Sequence, residues 1–133
     1  MADVLVNGSV DDNSYKVSPT QGPVWISKLI GYFIEFPSTA GEELRLLKTT
    51  DGGATWPTTY EIDATSGALL AFAIWFDKWT KDNTGTVIHI VWQGETTPGT
   101  TRDGLWYRGF NTATDTFVAA SININNFAAQ TSA

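Results

Sequence analysis

Short segments of alternating or continuous apolar character recur along the whole chain, separated by clusters of Gly, Pro, Thr, Asn and Asp. They predict strands at Val4–Val10, Val24–Lys28, Leu29–Phe36, Glu43–Lys48, Thr59–Asp63, Leu70–Phe76, Val87–Gln93, Gly104–Phe110 and Thr116–Ile122. No stretch keeps apolar residues at helical spacing for three turns without Gly, Pro or β-branched interruptions. The run from Gly67 to Phe76 has helical propensity, but Leu70, Phe72, Ile74 and Phe76 alternate with smaller residues and Trp75, which favours a strand. Turn chemistry divides the strands. Asp51-Gly52-Gly53 and Asp82-Asn83-Thr84-Gly85 tolerate the positive φ of tight turns, and Thr96 to Gly104 reads as a longer polar loop. With no helical crossovers, the expected fold is antiparallel and all-β.

Thr49-Thr50-Asp51-Gly52-Gly53-Ala54-Thr55-Trp56 carries a specific pattern: Ser or Thr, any residue, Asp, any residue, Gly, any residue, Thr, aromatic. The carboxylate of Asp51 can accept backbone N–H groups just ahead of it, Gly53 can adopt a conformation that a Cβ opposes, and Trp56 can fold back over the turn. This segment resembles the Asp-box, or bacterial neuraminidase repeat, of sialidase-like β-propellers. The resemblance implies that Thr49, Asp51, Gly53, Thr55 and Trp56 form a structural turn at a blade's periphery, away from any catalytic pocket.

A degenerate second copy follows. Leu44 to Trp56 aligns with Leu105 to Phe117 at one constant offset, matching Leu44 with Leu105, Thr55 with Thr116 and Trp56 with Phe117. Thr112 replaces the box Asp and Thr114 replaces Gly53, leaving Asn111 or Asp115 to close that turn. The expected organisation is an N-terminal arm over 1–23, two four-stranded propeller-type blades over about 24–63 and 70–122, and a polar tail over 123–133. A closed ring takes about four to eight blades, so two cannot close. Assembly of copies, membership of a longer protein, or face-to-face packing as a β-sandwich are the alternatives.

Composition narrows the function. Charged residues are 17% and aromatics 13%, with six Trp, as a folded, sheet-rich chain requires. A net charge of −6 without a basic cluster repels phosphate backbones, which argues against nucleic acid. The absence of Cys excludes disulfides and thiolate chemistry. No apolar run is long enough to span a bilayer, and Met1 to Gly8 shows no signal-peptide pattern, so a soluble protein without membrane insertion is expected.

The arginines are Arg45, Arg102 and Arg108, and none stands in the arginine motif that sialidases use for the substrate carboxylate. The resemblance therefore covers the scaffold and not the active site. No cofactor and no metal site are expected: His89 is the sole histidine, sharing a strand face with Val87 and Val91, and Asp11-Asp12-Asn13-Ser14 lacks an EF-hand pattern. Glu35 is the best single carboxylate for ligand or glycosidase work, but spacing names no partner. Trp79, flanked by charges, is the candidate exposed ring for stacking on a sugar, whereas Trp75, Trp92 and Trp106 read as packing residues. These features point to a non-catalytic structural or binding module that acts through assembly, such as a virion component (capsid, tail or receptor-binding part). The alternative is a fragment of a larger glycan-binding or glycan-cleaving propeller. Trp25, Phe33, Trp75, Trp92 and the strand around Val4-Leu5-Val6 are the expected assembly contacts.

Overall fold

The structure, a computed structural model, describes residues 22–35, 44–63, 71–94 and 104–124. The predicted N-terminal strand, the Asp11 cluster and the polar tail beyond 124 lie outside these residues.

The chain is all-β, with two antiparallel sheets. The first, four-stranded, runs in sequence order through β1 (Val24–Trp25), β2 (Gly31–Glu35), β3 (Leu44–Thr49) and β4 (Thr58–Asp63). The second, five-stranded, runs through β5 (Ala71–Phe76), β6 (Val87–Gly94), β7 (Gly104–Asn111) and β8 (Thr116–Phe117), with β9 (Ile122–Asn123) also paired to β7. Neither sheet closes on itself. Among the described residues no helix is long and apolar enough to cross a membrane.

One core lies between the sheets. Tyr32, Ile34, Leu44, Leu46 and Ile62 of the first sheet meet Ile74, Phe76, Ile88, Ile90, Trp92 and Phe110 of the second, all in one buried cluster. The period of two explains this: in β6, Ile88, Ile90 and Trp92 turn inward while His89 and Val91 face outward. Removing each large apolar side chain from water contributes about 1.5–3 kcal/mol, so this shared layer holds the sheets together. Tyr32 and Tyr60 both pack their rings on Phe110, at centroid distances of 5.5 and 4.8 Å.

Polar ties cross the same interface. Asp115 accepts hydrogen bonds from the Tyr32 hydroxyl and the Lys48 ammonium. Arg108 lies over the Phe117 ring and donates from Nη1 to the carbonyls of Glu61 (3.1 Å) and Ile62 (2.7 Å). The Trp92 indole N–H donates to Asp63 at 3.0 Å.

Several expectations are corrected. The Val24–Lys28 strand stops at Trp25, because Ser27 Oγ accepts from the N–H groups of Leu29 and Ile30 and curls the chain. The expected Thr116–Ile122 strand splits into β8 and β9, with Val118 N–H bonded to the Gly109 carbonyl between them, so the second unit has five strands rather than four. Of Trp92 and Trp75, each expected either to pack or to serve as an assembly contact, Trp92 is 1% exposed inside the core, which removes it as an assembly contact, and Trp75 is 50% exposed, which removes it as a core residue.

Candidate binding face and the β3–β4 turn

The β3–β4 turn is built around two side chains. Asp51 accepts from Thr49 Oγ1 (2.7 Å), Thr55 N–H (2.9 Å) and Thr55 Oγ1 (2.6 Å), while Thr49 Oγ1 accepts from Gly53 N–H (3.0 Å). Gly52 and Gly53 have φ of 77° and 89°, a region that side chains with a Cβ resist. The Thr55 hydrogen bonds, then the one from Thr49, hold the Asp51 carboxyl down to about 2. Trp56 packs beside the turn against Trp25 and Phe33, with centroids 6.1 and 6.0 Å away. The Trp25 ring in turn covers Gly31, where a Cβ would stand 2.7 Å from Cε3.

The matching β7–β8 turn is closed differently. Asn111 Oδ1 accepts from Ala113 N–H at 2.9 Å, and the Thr114 and Thr116 hydroxyls pair at 2.8 Å. Asp115 sits at φ 55° and turns its carboxylate away, toward Tyr32 and Lys48 of the other sheet. Burial pushes that carboxyl up, but the Lys48 and Tyr32 hydrogen bonds and the Lys48 charge outweigh it and hold it below the usual carboxylate range. Burial, and then the Asp115 hydrogen bond, push the Tyr32 hydroxyl well above its ordinary value.

The outer face of the second sheet gathers the remaining chemistry. Trp75 and His89 are direct cross-strand partners on β5 and β6. His89 Nε2 lies 2.8 Å from Asp77 Oδ1, and Nδ1 lies 2.8 Å from the Tyr107 hydroxyl, with the two rings stacked. Asp77 opens a 3-10 turn, Asp77–Trp79, and its Oδ2 also accepts the Val87 N–H at 3.0 Å. The His89 hydrogen bond, then the Val87 one, lower the Asp77 carboxyl. Trp79, 46% exposed, meets Trp75 edge-on at 5.5 Å, and the Trp75 indole donates to Thr80 Oγ1 at 3.1 Å. Leu105 adds a further exposed apolar side chain on β7. Gly109 leaves room beside this arrangement, since a Cβ there would crowd the Tyr107 hydroxyl and Val87 Cγ1 at 3.2 Å each.

Glu35 is the last residue of β2 in the first sheet and is 5% exposed, whereas Trp79 lies in the 3-10 turn after β5; the structure does not bring the two together. Sequence reasoning missed Asp77 and Tyr107 as neighbours of His89. The signal available was the shared outward face of His89 and Trp75, which becomes readable only once the β5–β6 register is known. Among the described residues no group of three or more His, Cys, Asp or Glu side chains gathers to hold a metal.

Comparison with known proteins returned no matching family model, no matching curated protein and no matching solved structure.

Proposed function

We propose that this chain is a non-catalytic structural or binding module, with a propeller-like scaffold of the Asp-box kind, that acts by assembling into a larger particle. The observation that carries this reading is the outer face of the second sheet. It exposes Trp75, Trp79 and Leu105, yet its polar groups are bonded to one another: Asp77 to His89, His89 to Tyr107 and Trp75 to Thr80. A face of large rings and satisfied polar groups suits contact with an apolar surface better than proton transfer to a substrate. The carboxylates of Asp51 and Asp115 are likewise committed to hydrogen bonds within the chain. The native mass in solution tests this. The expected result is a mass above that of one chain at micromolar concentration, and a stable monomer throughout would overturn it.

The edge-to-face pair Trp75–Trp79, with Thr80 and Asp77 alongside, supports a second reading, a glycan-binding part of a larger propeller. Titration with sialyl and neutral glycosides distinguishes the two. Binding abolished by Trp79→Ala would favour the glycan, and turnover abolished by Glu35→Gln would remove the non-catalytic reading altogether.

A further inference from the structure

Projecting the internal repeat onto the two sheets shows which faces match. The repeat equates Thr49 with Phe110; their β-partners are Gly31 and Ile88, so Tyr32 corresponds to His89 and Ile34 to Val91. Val24 pairs with Tyr32 and Trp75 with His89, so Val24 corresponds to Trp75. On β3 and β7, Leu44 and Leu46 correspond to Leu105 and Tyr107. The consequence holds along all three strand pairs. Val24, Tyr32, Ile34, Leu44 and Leu46 form the first sheet's buried inner face, while their counterparts Trp75, His89, Val91, Leu105 and Tyr107 lie on the second sheet's outer face. Conversely, Phe76, Ile88 and Ile90 are buried inside, while their counterparts Trp25, Gly31 and Phe33 lie on the first sheet's outer side, where Trp25 is 42% exposed.

The two matching turns also lie at the same end of the stack, since Asp115 of the β7–β8 turn reaches Lys48, next to the β3–β4 turn. The sheets are therefore stacked front to back, like two copies of one unit facing the same way. A sandwich related by a two-fold axis would bring matching faces together. Among the described residues, front-to-back stacking leaves one unfilled front, on the second sheet, and one unfilled back, on the first. A second, independent feature marks that front for covering: His89 is bonded to Asp77 and Tyr107, and the Trp75 indole to Thr80, all from β7 or the turn after β5, so burying them strands no polar group.

We propose, building on the assembly reading above, that the Trp75–Leu105 face of one copy docks the Trp25 face of a second copy, repeating between chains the contact already made between the two sheets within one. Such an interface is head-to-tail, and each added copy presents a fresh front, so association continues into a ring or an open stack instead of stopping at a two-fold dimer.

The test is sedimentation of the full chain and of single-face variants, each checked for a cooperative melt. Trp75→Arg blocks the front and Trp25→Arg the back; Leu105→Arg and the exposed outer-face Thr59→Arg replace either one that fails to fold. Wild type is expected to grow beyond a dimer with concentration, and each variant alone is expected to stay monomeric. An equimolar mixture of a front and a back variant is expected to form a one-to-one pair that goes no further. A back variant that dimerises by itself, or a mixture that stays monomeric while wild type associates, overturns the head-to-tail contact and leaves assembly standing. A wild type that stays monomeric overturns assembly as well.

Discussion

Asp51 is exposed, yet its carboxylate is one of the most constrained side chains in the molecule, because Thr49 and Thr55 bond it from both sides of the turn. Its folded-state pKa of about 2 lies below the ordinary 3.8. The stabilisation is therefore complete above the ordinary value and is lost as pH falls through about 2. Asp51→Ala should lower the melting temperature at neutral pH and flatten the acid limb of the stability profile, leaving self-association unchanged. Asp51→Asn, which keeps one acceptor, should fall between the two in thermal melts run from neutral pH down to the acid limb. This turn was legible in the sequence because all its donors and acceptors lie within a few residues. The role of Asp115 was not, because its partner Tyr32 is 83 residues away and no local spacing marks it.

The strands themselves were readable from alternation, and β2 to β7 fall close to their expected limits. Strand ends were less so, since Ser27 and the Val118 bend act through only one or two local hydrogen bonds each. The side each strand buries was hardest in β5, where Phe72, Ile74, Trp75 and Phe76 place apolar groups on both faces and periodicity names neither. Trp92 and Trp106 show how much depends on the partner. They are direct cross-strand neighbours on β6 and β7; the Trp92 indole donates to Asp63, whereas the buried Trp106 indole nitrogen has no hydrogen-bond partner among the described residues. Trp92→Phe should cost about 1–3 kcal/mol more than Trp106→Phe, because the first deletes a hydrogen bond to a carboxylate and the second deletes a buried donor that has no partner among the described residues. Urea unfolding of the two variants measures the difference directly.

At the scale of the molecule, the sheets are joined by an apolar layer closed at one end by Lys48, Tyr32 and Asp115. Asp115→Ala leaves a buried phenol and a mostly buried ammonium without this acceptor and should cost about 1–3 kcal/mol. A double-mutant cycle with Lys48→Met should show the two effects to be strongly non-additive in chemical denaturation, and additive effects would mean that the pair is independent. The Asp115 carboxyl is depressed, so this contribution is present above the usual carboxylate range and fades as pH falls through its lowered value. Nothing in the sequence states which faces meet. The repeat gives that answer only when Gly31, Thr49, Ile88 and Phe110 are paired in space.

The sequence order of the strands, broken only where β9 returns to β7, also bears on the time course of folding. Every strand from β1 to β4, and from β5 to β8, pairs with its neighbour in the chain, so each sheet can zip up through short loops with little closure entropy. The contacts of Asp115 with Tyr32 and Lys48 join distant parts of the chain and are expected to form last. Interactions that form after the rate-limiting step slow unfolding more than they speed folding. The bridge across the sheets therefore governs chiefly how long the folded molecule survives, and the hairpins govern how quickly it forms.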